Sequence, residues 1–142
     1  MRMNANTSTD TNMRIADNRI IERELSYALN GIFFSIHNML GRYCNEQQYS
    51  DAIMDALQSK HVAFEREKIL EPSFIGERSG RHRIDFIVEG RIVVEVKAKL
   101  ALEREDFVQV LRYLQALNIK LGILVNFGTK ALVPRRILNP KA

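Results

Sequence analysis

The sequence predicts an α/β (α+β) fold, a mixed sheet flanked by helices, on three observations. The stretch from Ile84 to Lys99, IDFIVEGRIVVEVKAK, reads as two adjacent strands joined by a short turn at Glu89-Gly90. Apolar residues recur at helical spacing in two stretches before it and one after it. A run that is apolar almost throughout, LGILVN at 121–126, suits a central strand buried on both faces. With 142 residues the chain has room for one domain around a single core.

Taken in order, residues 1–17 are polar, rich in Asn and Thr and without apolar periodicity, and are expected to be a flexible leader. The domain then occupies residues 18–142. Ile21, Leu25, Leu29, Ile32 and Ile36 predict a helix from Asn18, as N-cap, to Leu40, with Gly41 as its stop. Gly31 inside it is expected to permit close packing, and His37 to be a partly exposed or hydrogen-bonded side chain. Tyr49, Ala52, Ile53, Ala56 and Leu57 form the stripe of a second helix from about Asn45 to Lys60. VAFEREKIL, 62–70, predicts an edge strand. Pro72, Gly76 and Gly80 mark turns before the hairpin.

After the hairpin, Leu102, Phe107, Val110, Leu111, Leu114 and Leu117 predict a helix from about Glu103 to Leu117, with Gln109 and Tyr113 four apart on one face. The buried strand at 121–126 follows, then a turn at Phe127-Gly128-Thr129. ALVPRRIL adds a short edge strand interrupted by Pro134. The order places a helix between two strands that run parallel.

Three charged residues stand in the apolar hairpin: Asp85 on its first strand, Glu95 and Lys97 on its second. A carboxylate in a buried strand is costly to desolvate unless it is paired or bound to a cation. Glu95 and Lys97, two apart, share a face while Val94 and Val96 take the other. Asp85 across the turn brings a second carboxylate. Two hard oxygen donors suit Mg²⁺ or Mn²⁺, and an ammonium beside them suits a phosphate oxygen or a polarised water.

Composition limits the alternatives. No apolar run is long enough to span a membrane, and the N-terminal stretch has no apolar core of a secretory signal. One cysteine, Cys44, excludes an internal disulfide and a cysteine metal cluster, which fits a cytoplasmic location. A net charge of +4 modestly favours polyanionic partners. The basic run Arg78, Arg81, His82, Arg83 reads either as a solvated loop or as countercharge for a phosphate backbone upstream of Asp85. Glu46, in the first turn of the second helix, reads either as a complement to the helix dipole or as a third acid aimed at the hairpin.

An acid, a gap, then Glu95-Val96-Lys97 resembles the signature of the PD-(D/E)XK nuclease superfamily. The resemblance extends from about Leu25 to Leu138. IHNMLGRYCNEQQY, with His37, Leu40, Gly41, Glu46 and Tyr49, is similar to the small bacterial branch named for a GxxExxY motif, although Tyr43 stands where that motif has glycine. Gln109 and Tyr113 match a glutamine, three residues, tyrosine pattern, and Asn126-Phe127-Gly128 matches the end of the branch's apolar strand.

That resemblance implies a restriction-endonuclease-like core and a metal-dependent nuclease acting on nucleic acid, DNA before RNA. Asp85 and Glu95 would hold Mg²⁺ or Mn²⁺, with the Val96 carbonyl as a further ligand and Glu46 completing the site directly or through water. Lys97 would orient or help deprotonate the attacking water and steady charge on the phosphate. Gln109 and Tyr113 would position the strand or the hairpin. Arg78, Arg81, Arg83 and Lys99 are the expected contacts to nucleic acid. Related small nucleases often dimerise, so a homodimer is a further expectation. Two other readings stand beside this one: a nuclease-fold module that binds nucleic acid or a protein without efficient cutting, and a regulatory protein acting through the exposed edge at 62–70.

Overall fold

The computed structural model describes residues 21–72, 74–77 and 82–142. The expected leader and the Asn18 cap lie outside them. Among the described residues the elements run α1 (Arg23–Leu40), α2 (Glu46–Ser59), β1 (Phe64–Ile69), β2 (Arg83–Val88), β3 (Ile92–Lys97), α3 (Arg104–Leu117), β4 (Leu121–Asn126) and β5 (Arg135–Leu138). The five strands form one mixed sheet in the order β1-β2-β3-β4-β5, antiparallel except for the parallel pair β3 and β4 that α3 connects. Among the described residues no helix is long and apolar enough to cross a membrane.

The strand alternation sorts two cores. On one face Phe86, Val88, Ile92, Val94, Val96, Ile123 and Val125 meet Leu29, Phe33 and Ile36 of α1 and Tyr49, Ile53 and Leu57 of α2. On the other, Ile84, Ile87, Val93 and Leu124 meet Val110, Tyr113 and Leu114 of α3. At Gly122 α3 lies close against the sheet: a Cβ there would lie 2.6 Å from Val110 Cγ1.

Local chemistry sets the boundaries. Gly41, at φ 76°, ends α1 with its N–H donated to the His37 carbonyl. Asn45 caps α2 in a reciprocal box with Gln48. Glu89 and Gly90 both have positive φ in the tight connection 89–91, where the Arg91 N–H donates to the Val88 carbonyl. Two expectations need correction. Gly31 does not serve close packing: it is exposed, and a Cβ there would meet nothing within 4 Å. Pro134 does not interrupt the last strand but precedes it, because a residue without an N–H is tolerated before a ladder and not within one.

β1 departs from a regular edge strand. Glu67 has φ 57°, and the β1–β2 pairing runs through Arg66 with Phe86 and resumes at Lys68 with Ile84. At the same step β2 reverses its alternation, since Ile84 and Phe86, two apart, enter opposite cores. Asp85 sits at that reversal. The kink and the charged run Glu65 to Lys68 make this edge a poor template for an added strand.

Candidate active site

Strand geometry brings Asp85, Glu95 and Lys97 together. The β2–β3 register reaches Phe86 with Val94, and beyond it side chains replace the backbone ladder. Val96 donates its N–H to Asp85 Oδ2 at 2.7 Å, and the Asp85 N–H points to Glu95 Oε1 at 3.4 Å. Lys97 Nζ lies 3.8 Å from Glu95 Oε2. Glu95 is 4% exposed although its flanking valines fill the opposite core. A strand that keeps period two thus turns Val93, Glu95 and Lys97 toward the α3 face.

Burial and mutual repulsion raise both acids. Desolvation, then the charge of Asp85, pushes Glu95 up to about 8. Asp85 is also raised, first by burial and then by Glu46, against the Val96 amide and Lys97, which favour its charged form. Burial and the same two acids raise the Tyr113 phenol. Both shifts favour the protonated form of the pair, and a bound cation would oppose them.

A cleft of about 170 Å³ opens beside Asp85, lined by Glu46, Gln47, Ser50, Arg66, Glu67 and Arg83. Glu46 therefore enters from the first turn of α2, serving the helix dipole and the cleft at once. Arg66 is held by Asp51 at 2.8 Å with its guanidinium over Phe86. Arg83 reaches Glu67 at 3.5 Å.

The segments around the site are tied down from behind. Asn126 Oδ1 accepts the N–H groups of Lys99 and Gly128 at 3.0 and 3.1 Å, and its Nδ2 donates to the Lys99 carbonyl at 2.9 Å. Gly128 has no room for a Cβ, which would fall 2.4 Å from the Lys99 carbonyl oxygen. Phe127 stacks on Tyr49 with ring centres 4.4 Å apart. Tyr49 in turn donates to the Gly41 carbonyl at 2.6 Å and accepts from the Cys44 N–H, pinning the loop that leads to Glu46. His37 meets the Thr129 carbonyl at 2.9 Å, the hydrogen-bonded role expected of it.

A helix, a hairpin carrying an acid and E-x-K, a crossover helix and a parallel strand, with the three charges converging, is the arrangement of one known group. The family model of the PD-(D/E)XK nuclease superfamily matches residues 23–137. The chain belongs to the PD-(D/E)XK nuclease superfamily. No curated protein matches it.

Within this nuclease-superfamily fold the other expected site residues fall as follows. Tyr113 stands on α3 with its hydroxyl 3.4 Å from the Arg83 carbonyl, tying α3 to β2. Gln109, one turn earlier, is half-buried and makes no side-chain hydrogen bond among the described residues. Lys99 is engaged by Glu103 at 2.9 Å and Asp106 at 3.0 Å. Arg78 and Arg81 lie outside the described residues. Tyr43 is 87% exposed and has no positive φ, so the backbone there does not require the glycine of the GxxExxY pattern.

Two residues at the site escaped sequence reasoning. Asp106, 7% exposed, lies 3.8 Å from Lys97 Nζ; its spacing after Glu103 signals a helix start, and nothing in the sequence ties it to β3. Glu67 was legible only as one charge among four on an edge strand.

Donors that fit a hard divalent cation are the half-buried Asp85 and the buried Glu95, with the Lys97 ammonium 3.8 Å from Glu95. Among the described residues no group of three or more His, Cys, Asp or Glu side chains converges as a finished ligand set.

Proposed function

We propose that this chain is a divalent-cation-dependent nuclease that hydrolyses phosphodiester bonds in DNA, with Asp85, Glu95 and Lys97 as its reacting groups and Glu46 at the mouth of the cleft. The reading rests above all on the meeting of Asp85, Glu95 and Lys97 in one partly buried spot. Asp85 and Glu95 would hold Mg²⁺ or Mn²⁺, with the carbonyl of Val96, next to Glu95 in sequence, as a further ligand and Glu46 close enough to raise Asp85. The cation supplies Lewis-acid polarisation of a phosphate oxygen when bound.

Lys97 directs its ammonium at the incoming water and the non-bridging phosphate oxygen, lowering the cost of negative charge as the water oxygen bonds to phosphorus and the ester oxygen leaves. Tyr113 holds β2 to α3 so that Asp85 and Glu95 keep their separation, and Gln109 stands on the same helix face. Arg83, exposed at the cleft, is the described cation best placed to meet a flanking phosphate. Arg78 and Arg81 belong to the same basic run. Lys99, engaged by two acids, contributes less direct contact than its charge suggests. The net charge of +4 is consistent with a polyanionic substrate.

The test is incubation of the full chain with single-stranded, duplex and branched DNA, with and without Mg²⁺ or Mn²⁺, beside Glu95→Ala and Lys97→Ala. We expect cation-dependent cutting, reduced about a thousandfold or more by either substitution while the fold is kept. Equal cutting by the variants would overturn the assignment of these residues. Retained binding without cutting would favour a nuclease-fold module that only binds.

A further inference from the structure

We propose that Asp106 is a positioning residue that holds the Lys97 ammonium at the site from the opposite side to Glu95. The proposal rests on the reading of Lys97 as the cation that faces phosphate. Lys97 Nζ lies 3.8 Å from Glu95 Oε2 and 3.8 Å from Asp106 Oδ1, within reach of two carboxyl groups and captured at close range by neither. Its side chain is 19% exposed, so water does little of the holding. A lysine stem has four rotatable carbons, and only fixed partners keep its head in one place.

Asp106 is built for that task. Its carboxylate is anchored by the N–H of Glu103 at 2.8 Å and by Lys99 Nζ at 3.0 Å, both on Oδ2. Oδ1 is left with a longer contact to Lys99, 3.4 Å, and with Lys97. Lys99 thereby absorbs most of the carboxylate's attraction, and Lys97 is steered without being locked into a close ion pair. Asp106 comes from α3, whereas Glu95 is on β3. When Glu95 is drawn toward another cation, Lys97 keeps one fixed anion and stays beside the reacting phosphate. Asp106 touches neither that phosphate nor the Asp85 and Glu95 pair; it acts through Lys97.

Asp106→Asn tests this in the full chain, because an amide oxygen still accepts from the Glu103 N–H and preserves the helix start while the charge is removed. Thermal melting confirms that the variant folds. The first readout is the ¹⁵N signal of the Lys97 ammonium, identified by its loss in Lys97→Met. We expect a slowly exchanging signal in the parent chain, broadened or lost in Asp106→Asn and kept in Glu103→Gln, which removes another partner of Lys99 but none of Lys97. A Lys97 signal unchanged in Asp106→Asn, or as fast-exchanging in the parent as that of an exposed lysine, overturns the proposal.

The second readout is kinetic. Asp106→Asn should lower kcat about tenfold with KM within about twofold, the scale expected of a group that orients a reacting residue. In a Lys97→Met background it should cost nothing further, and an additive loss overturns the proposal. A parent chain that does not cut would sink the nuclease reading instead, and the ammonium signal would still decide whether Asp106 positions Lys97.

Discussion

At Glu95 the cost of burial and the nearness of Asp85 raise the carboxyl from its ordinary 4.5 to about 8. Between those values the folded chain holds a proton that the unfolded chain has released, so this group's contribution to stability falls as pH rises from about 5 to about 8. Asp85, raised as well, acts in the same direction. Urea midpoints of the cation-free chain at pH 5, 6.5 and 8 should therefore decline relative to those of Glu95→Gln, which carries no titrating group at position 95. Parallel profiles would refute the burial argument.

Asn126 offers a second residue-scale measurement. Its amide satisfies both backbone groups of Lys99 and the N–H of Gly128, so Asn126→Ala orphans buried polar groups and should cost about 1–3 kcal/mol in urea unfolding. Cutting should fall with it, since Lys99 is two residues from Lys97. The motif ending in N-F-G was legible in the sequence, but its reason was not, because the bonds it makes reach back 27 residues to the end of β3.

At the scale of elements, the hairpin was the most legible part of the chain. Period-two alternation places Glu95 and Lys97 opposite Val94 and Val96 without reference to anything distant. The α2 entry was harder to judge from sequence, because a tyrosine replaces glycine at 43. The loop is held instead by Tyr49, through Gly41 and Cys44, while the Tyr43 ring lies outside against Arg42. Tyr43→Gly should therefore change stability by no more than about 0.5 kcal/mol and leave cutting within about twofold. A large gain in activity would show that the ring obstructs the cleft. The reversal at Asp85 and the positive φ of Glu67 had no local signal, since both arise where two strands must stay paired while one changes face.

At the scale of the molecule, the match over residues 23–137 takes in the described elements from α1 nearly to the end of β5. The site lies where β2 and β3 part, with α2 on one side of the sheet and α3 on the other. A cation that binds only the folded chain stabilises it by mass action, by about 2.7 kcal/mol at a concentration one hundredfold above Kd. Mg²⁺ or Mn²⁺ should thus raise the melting temperature of the parent chain by several degrees and that of Asp85→Asn much less. Equal shifts in both would mean that the cation binds elsewhere.

Local patterns in the sequence determined the helices, the hairpin with its E-x-K triplet, the internal apolar strand and the kinship these carry, because periodicity, caps and turn residues act over a few positions. Only the folded chain decided that Asp106 from α3 meets Lys97, that Glu67 kinks opposite Asp85 and that Lys99 is occupied by acids. Those outcomes depend on how far apart the layers pack and where a ladder ends, quantities set by contacts between segments that no short stretch of sequence contains.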